Sequence, residues 1–178
     1  FLDLKKAICK KFKRDNNLDY DIDQIVVSTG AKQSIANVCM SLINKGDEVV
    51  IPTPYWVSYS AMVSLADGIP VFVHPAEDAN YKITADQLES AITDKTKMIM
   101  FNSPNNPSGS VFSEEEYLEF SKVLQKYPDI IVVSDEIYEH INYDSKSVSF
   151  ASLPGMYERT VTVNGISKAF AMTGWRIG

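Results

Sequence analysis

The run Ile-Ile-Val-Val-Ser-Asp at residues 130–135 carries the strongest fold signal in the sequence. Its consecutive apolar residues predict a strand over Ile130–Ser134 that is covered on both faces, which is typical of parallel sheets. Other short β-branched runs predict further strands at Gln24–Ser28, Val49–Ile51, Pro70–Val73, Lys97–Phe101 and Thr160–Val163. Because segments with helical spacing separate most of these runs, the sequence predicts a three-layer α/β/α fold with a mostly parallel sheet.

Polar residues mark where several helices begin. Thr84–Gln87 and Ser113–Glu116 each place a hydroxyl three residues before a Gln or Glu, the pattern of a capping box. Apolar spacing predicts two more helices, over Leu4–Phe12 and Ser34–Ile43. No internal repeat or linker interrupts these segments, so the sequence predicts a single domain.

The composition limits the class of protein. The chain has 178 residues, 45% of them hydrophobic, and a net charge of −6 from 17 basic and 23 acidic residues. This length supports one sizeable core, and the acidic balance argues against a general nucleic-acid surface. No apolar run approaches the roughly 20 residues that span a bilayer, and no secretory signal is visible. We therefore expect neither nucleic-acid nor membrane partners.

The cysteines and histidines show no metal-binding or triad pattern. Cys9 and Cys39 lack the spacing of a metal or redox motif, which favours a cytoplasmic location. His74 and His140 are far apart in the sequence, and no serine or cysteine has the context of a catalytic triad. We expect both histidines to be packing or surface residues, and we expect no metal site.

Ligands of open α/β sheets bind beyond the carboxyl ends of the strands. Candidate site residues in such positions are Ala31, Lys32, Trp56, Asn106, Asp135, Tyr138 and Lys168. Arg176 follows the last of these, and its guanidinium fork matches the oxygens of a phosphate.

Two of the predicted loops contain residues that suit a binding site. Thr29–Gln33 leads from a predicted strand into a helix, where Gly30 either lets the backbone approach an anion or merely makes a tight turn. The segment is neither a Walker A loop nor a G-x-G-x-x-G motif. The proline-stiffened loop Ser103–Gly109 either aims an amide donor at a ligand or forms an ordinary Asn/Pro turn.

Asp135 and Lys168 are the strongest candidates for chemistry. A carboxylate at the end of a buried strand needs a partner, which a metal, a protonated heterocycle or a structural arginine would supply. Glu136 and Glu139 are interpreted as solvated neighbours. A lysine after a strand is usually a surface residue, but it becomes a nucleophile when desolvation or neighbouring charge discharges its ammonium group.

The order of these segments along the chain is more specific than any one of them. The segments are Thr29–Gln33, Pro54–Trp56, Asn105–Gly109, Ser134–Tyr138, Ser167–Phe170 and Gly174–Gly178. Together they closely resemble the pyridoxal-phosphate aminotransferases of fold type I, class I/II, and within them the bacterial aspartate aminotransferase-like branch. The resemblance covers essentially the whole chain and implies the PLP-dependent transferase-like large domain, here incomplete.

The resemblance implies roles around the reacting end of pyridoxal 5'-phosphate. Lys168 would form the internal aldimine, and its freed amine would shuttle the proton between the substrate α-carbon and the cofactor. Asp135 would keep the pyridine nitrogen protonated, which makes the ring an electron sink. Tyr138 and Asn106 would donate to the phenolic oxygen.

The resemblance also implies how the rest of the cofactor and the substrate are held. Ala31, Lys32 and Arg176 would bind the phosphate. Trp56 would stack on the ring and border the substrate, and Asn106 would help to place the substrate carboxylate. Many relatives carry a phosphate-binding hydroxyl where this chain has Gly165, so the neighbouring serine, Ser167, has no assigned contact.

Family members also contain parts that these residues do not match. These parts are an N-terminal segment, a seventh, antiparallel strand and a C-terminal small domain whose arginine grips the substrate carboxylate. We therefore expect residues 1–178 to be a partial large domain that transaminates inefficiently alone, and we expect the full-length protein to be a homodimer. The resemblance further implies cis peptides at Thr53–Pro54 and Asn106–Pro107.

The predicted function is transamination between an amino acid, aspartate or a related one, and a 2-oxo acid. A lyase or synthase of the same fold is one alternative, because it uses the same cofactor linkage but eliminates a group. A non-catalytic effector domain that keeps the cofactor pocket is another. A Rossmann nucleotide binder is disfavoured, because the glycine fingerprint is missing.

Overall fold

The computed structural model describes residues 1–143 and 147–178, which contain a five-stranded sheet in the order β2-β1-β3-β4-β5. The strands are β1 Glu48–Pro52, β2 Ile69–Val73, β3 Thr96–Asn102, β4 Ile131–Asp135 and β5 Thr160–Val163. Every neighbouring pair is parallel. Parallel strands need crossover connections, so the carboxyl ends of the strands share one rim of the sheet.

Helices fill most of the crossovers. They are α1 Leu2–Asn16, α2 Ala31–Leu42, α3 Ser58–Leu65, α4 Ala85–Ser90 and α5 Glu114–Gln125. The capping boxes predicted at Thr84–Gln87 and Ser113–Glu116 are confirmed at the starts of α4 and α5. Among the described residues, no helix combines the length and the apolar character that crossing a membrane requires.

The two faces of the sheet carry separate cores, which confirms the three-layer fold. Ile99 and Phe101 of β3 face α4 and α5, where the Phe101 ring stacks on Phe120 at 5.3 Å between centroids. Met98 and Met100, the alternate residues, face α2 and α3. Because successive side chains of a strand point to opposite faces, an uninterrupted apolar run fills both cores.

The predicted strand over Gln24–Ser28 is wrong. A short 3-10 helix occupies Ile22–Gln24, and Asp21 forms a capping box with the last residue of that helix. Ile25 has an extended backbone, but in the described part of the chain no strand pairs with residues 25–28. Within residues 1–143 and 147–178, the one reciprocal backbone pair of this segment joins Ser28 to Gly178, at 2.7 and 3.1 Å. A groove of about 590 Å³ separates the segment from β5. The segment therefore has a strand-forming sequence but no neighbouring strand to which its described backbone could hydrogen-bond.

Glu136 and Glu139 are buried, which corrects their interpretation as solvated residues. Glu136 accepts hydrogen bonds from within the fold, including one of 2.8 Å from the Ser149 hydroxyl. Glu139 pairs with Lys11 and accepts a 2.7 Å hydrogen bond from the Asn16 amide. Both side chains therefore join the turn after β4 to distant parts of the chain.

Candidate active site

A cavity of about 250 Å³ opens at the carboxyl-end rim of the sheet, and we call it the rim cavity. Every residue that the sequence singled out as a cofactor ligand lines it: Ala31, Lys32, Trp56, Asn106, Asp135, Tyr138, Lys168 and Arg176. The larger groove beside β5 contains none of them. Size therefore favours the groove, but the convergence of complementary chemical groups favours the rim cavity as the functional site.

One end of the rim cavity is built to receive an anion. Gly30 caps α2 with φ +86°, a backbone conformation that favours glycine. Among the described residues, nothing accepts a hydrogen bond from the first-turn N–H groups of Ala31 and Lys32. These open donors lie at the positive end of the α2 dipole, so the helix start is suited to an anionic ligand.

The Arg176 guanidinium packs directly over Gly30, where a side-chain carbon would collide with it. It donates to the carbonyls of Thr29 at 3.2 Å and Thr173 at 2.9 Å. These bonds use part of its five-donor fork and hold the cation beside the start of α2. A positive charge and open backbone donors thus meet at the same end of the cavity.

An aromatic side chain forms one wall. The Trp56 ring lies edge-on to Tyr59 with centroids 5.4 Å apart. The Lys32 ammonium lies 4.9 Å from the Trp56 ring centroid, within cation–π range. Trp56 is only partly buried, and its ring borders the cavity, so it has surface available for a flat ligand.

Asp135 is the buried charge of the site. Only 5% of the residue is exposed, and burial raises the pKa of its carboxyl group from the usual 3.8 to about 6. One carboxylate oxygen accepts a 2.6 Å hydrogen bond from the Tyr59 hydroxyl, and the other accepts a 3.2 Å bond from the Ile137 N–H. No described lysine, arginine or histidine pairs with it, although an unpaired buried carboxylate is costly. A cationic ligand group would relieve that cost.

Lys168 and Tyr138 lie close together in the wall of the cavity. The Lys168 ammonium lies 5.9 Å from the Tyr138 ring centroid. Lys168 is exposed, and its carbonyl accepts a 3.1 Å hydrogen bond from the Ala171 N–H in the turn that follows. Its amine is therefore accessible to a ligand that enters the cavity.

Asn106 stands on a loop that is held at two points. Its backbone N–H donates to the Asn102 side-chain oxygen at 2.7 Å, and the neighbouring Asn105 amide donates to the Pro54 carbonyl at 3.1 Å. The Asn106 side chain itself has no hydrogen-bond partner within the described ranges. Its amide is therefore available to a ligand. The predicted cis peptides before Pro54 and Pro107 are confirmed, and Ser103–Pro104 is also cis.

The cavity also contains residues to which the sequence assigned no role. Its further lining residues are Tyr59, Asn102, Ile137, Ser167 and Thr173. Asn102 ends β3, so the rule that ligands bind after strands could have found it. Tyr59 gave no such signal, because it lies inside α3 and reaches the site only through packing. Within residues 1–143 and 147–178, no three His, Cys, Asp or Glu side chains form a group that could hold a metal ion.

The sequence comparisons agree over the full length of the chain. The family model for aminotransferase class I and II matches residues 1–178. A probable aspartate/prephenate aminotransferase of Rickettsia felis is 54% identical over 177 residues, which are 98% of this chain and 43% of that relative. An aspartate aminotransferase of Rhizobium meliloti is 49% identical over 178 residues, or 99% of this chain and 43% of that protein.

Solved structures give the same result. The crystal structure of the Rhizobium meliloti aspartate aminotransferase matches with a TM-score of 0.97 and 48% identity, over 99% of this chain and 44% of the other. The Thermus thermophilus aspartate aminotransferase with maleate matches with a TM-score of 0.95 and 39% identity, over 100% of this chain and 46% of the other. The chain spans less than half the length of the relatives it matches. Since the family model covers the whole chain and the fold agrees with solved members, the chain belongs to the class I and II aminotransferases.

Proposed function

We propose that this chain is the cofactor-binding part of a pyridoxal-phosphate-dependent aminotransferase (EC 2.6.1.-). The enzyme would transfer an amino group between aspartate, or a related amino acid, and a 2-oxo acid. One observation carries the proposal: the rim cavity is lined by a buried carboxylate that pairs with no described cationic side chain, by an accessible lysine amine and by an open helix start. The names of the relatives, aspartate and aspartate/prephenate aminotransferase, support the substrate class.

The residues at the start of α2 fit the phosphate of pyridoxal phosphate. The open N–H groups of Ala31 and Lys32 would donate to its oxygens. Arg176, which already lies against Gly30, would add a charge-assisted pair of donors. Nothing acidic pairs with this guanidinium among the described residues, so its charge is available to an anion.

Asp135 fits the pyridine nitrogen. Its carboxylate is buried and unpaired, and a protonated ring nitrogen would supply the missing cation. In turn, the carboxylate would hold the proton on that nitrogen, because an opposite charge at short range favours the charged form. Tyr59 keeps one carboxylate oxygen in place through its 2.6 Å hydrogen bond.

Lys168 is the proposed attachment and proton-transfer residue. When bound, pyridoxal phosphate supplies an electron-withdrawing ring that accepts the electron pair left when the substrate loses its α-proton. Lys168 would hold the cofactor covalently, and its released amine would take and return that proton. A positioned acid–base group of this kind typically contributes about 10²–10⁴-fold to the rate.

The remaining residues would orient the ring and the substrate. Trp56 would cover one face of the ring, and its position beside Tyr59 and Lys32 restricts its rotation. The unpartnered Asn106 amide would donate to the phenolic oxygen of the cofactor, together with Tyr138, and would help to place the substrate carboxylate. Holding reacting groups in this way lowers the entropic part of the barrier.

Cofactor capture tests the proposal directly. The protein is incubated with pyridoxal 5'-phosphate, reduced with borohydride and mapped by peptide mass spectrometry. We expect the label on Lys168 and none on Lys32, the other lysine of the cavity; Lys168→Ala should abolish it. A full-length protein that takes up no cofactor, or is labelled only at Lys32, would contradict the proposal. Product analysis then distinguishes transfer, which yields a new amino acid and oxo acid, from elimination, which yields ammonia or a cleaved side chain.

We also propose that residues 1–178 act within a longer enzyme, because they match only 43% of the length of the curated relatives. The 178-residue chain should therefore turn over poorly, whereas the full-length protein should transaminate. Efficient steady-state turnover by the 178-residue chain, verified by mass, would refute this.

The assembly and location of the full-length protein are further proposals. We propose a homodimer, since the segment between Lys168 and Arg176 exposes three large apolar side chains, Phe170, Met172 and Trp175. Sedimentation of the full-length protein tests this, and a monomer would contradict it. We propose a cytoplasmic location because Cys9 and Cys39 are both unpaired thiols.

A further inference from the structure

One buried amide connects two parts of the rim cavity. Asn102 is the last residue of β3, and only 6% of it is exposed. Its side-chain nitrogen donates to the Asp135 carbonyl at 2.9 Å, and its side-chain oxygen accepts from the Asn106 N–H at 2.7 Å. The amide therefore joins the end of β4 to the loop that follows β3.

The chemistry of the partners fixes the orientation of this amide. The Asp135 carbonyl can only accept and the Asn106 N–H can only donate. Rotating the Asn102 amide by half a turn would break both hydrogen bonds. Both ends are used, so the side chain works as a spacer of fixed length between the two partners.

Among the described residues, Asn102 is the only acceptor for the Asn106 N–H. The loop has a second anchor at Asn105, but that amide contacts Pro54 and Ser108 and does not reach β4. The Ser103 N–H also donates to the Asp135 carbonyl, at 3.4 Å, but the Asn102 side chain is the described contact that holds the Asn106 N–H itself next to the end of β4.

We propose that Asn102 is a positioning residue, which sets where the Asn106 amide stands relative to Asp135. The inference rests on the proposed function, in which Asn106 donates to the phenolic oxygen and Asp135 contacts the ring nitrogen of the same cofactor. Since the cofactor is rigid, both contacts form only when the two residues are held at the matching separation.

A double-mutant cycle on the full-length protein loaded with pyridoxal phosphate tests this. The readout is the pH titration of the absorbance of the bound cofactor. A donor to the phenolic oxygen stabilises its anion and lowers the pKa of the cofactor–lysine linkage. Asn106→Ala and Asn102→Ala should each raise that pKa by about 0.5 or more, and the double variant should equal Asn106→Ala alone, because Asn102 acts through Asn106.

A merely structural role is excluded by a matched control. Thr96→Val removes a partly buried hydrogen bond at the opposite end of β3, where the Thr96 hydroxyl accepts from the Thr93 N–H at 2.9 Å. This variant should lower the melting temperature without moving the absorbance titration. If Asn102→Ala yields no folded protein, Asn102→Thr, which suits a strand end, replaces it in the cycle.

The outcomes separate this inference from the proposed function. An unchanged titration in the Asn102 variants, or a double variant whose shift is the sum of the single shifts, overturns the positioning role alone. A wild-type protein that binds no cofactor overturns the proposed function, and the inference with it.

Discussion

Asp135 and Glu136 are neighbours in sequence, yet their side chains lie on opposite faces of the sheet. Asp135 reaches Tyr59 on the side of α2 and α3 and lines the rim cavity. Glu136 reaches Ser149 and the backbone of Phe150, next to the core beneath α4 and α5. Both are buried, and burial raises the pKa of each carboxyl group, to about 6 for Asp135 and about 7 for Glu136.

The two carboxylates differ in their hydrogen-bond donors and in how completely the fold compensates their charge. One oxygen of Glu136 accepts three hydrogen bonds, from the Ser134 and Ser149 hydroxyls and the Phe150 N–H. Asp135 accepts hydrogen bonds from one hydroxyl and one N–H, and no cationic side chain of the described residues pairs with it where it borders the cavity. Since a buried charge needs donors or a counter-charge, the fold itself supplies the partners of Glu136, but a ligand must complete those of Asp135.

The largest expected effect contrasts the two carboxylates in catalysis. Asp135→Asn removes the charge that would face the ring nitrogen, and we expect kcat/KM of the full-length enzyme to fall about 10²–10³-fold, as it does when a preorganised electrostatic group is lost. Glu136→Gln makes the same chemical change on the other face and should cost only a few-fold. Steady-state kinetics measure both. Equal losses of kcat/KM in the two variants would contradict the assignment of Asp135 to ligand binding and of Glu136 to structure.

A smaller effect should follow from loss of the Tyr59 hydroxyl. Tyr59→Phe removes the 2.6 Å hydrogen bond, so the pKa of Asp135 rises further above about 6. We expect the dissociation constant of pyridoxal phosphate to increase about 10–100-fold, the range for a hydrogen bond to a charged group. The increase should grow from pH 8 to pH 6, because Asp135 is then protonated more readily.

Tyr55→Phe is the matched control for this measurement. It makes the same change four residues before Tyr59, ahead of the start of α3, where the hydroxyl donates to Ser60 at 3.1 Å and Tyr55 does not line the rim cavity. Its dissociation constant should stay near that of the wild type at every pH. A pH-independent loss in Tyr59→Phe, or the same loss in both variants, would show that the hydroxyl does not act through Asp135.

The position of Asp135 could be predicted from the sequence, but the environment of Glu136 could not. An uninterrupted apolar run predicts a strand in a parallel sheet, and the end of such a strand lies at the rim where ligands bind. The partners of Glu136 at residues 149 and 150 are 13 and 14 positions away. No local sequence pattern predicts contacts over this separation. Glu136, a charged residue directly after a strand, is therefore expected from sequence to be solvated.

The wrong strand at Gln24–Ser28 and the missed Tyr59 have a related cause. The β-branched residues of the first segment favour an extended backbone, which Ile25 has, although Gln24 ends a 3-10 helix. A strand also needs a partner whose position depends on the rest of the fold. Tyr59 enters the site because α3 packs on the sheet, and helical spacing alone identifies it as a core residue. Sequence patterns thus predict local conformation and which residues lie at the rim of the sheet, but they predict less well which distant residues pack together.

The smallest effect concerns stability and isolates Glu136. With its pKa raised from the usual 4.5 to about 7, folded Glu136 keeps its proton over a range where the unfolded residue loses it. The free energy of unfolding should therefore fall as pH rises from 4.5 to 7, by up to about 3 kcal/mol at about 1.4 kcal/mol per pKa unit. Urea unfolding at pH 5 and pH 8 should show a smaller fall in Glu136→Gln, which keeps only the contribution of Asp135, of the same sign. The control Glu77→Gln, at an exposed position, should show the same fall as the wild type. If the free energy of unfolding falls as much in Glu136→Gln as in the wild type, the three donors to Glu136 already compensate its buried charge.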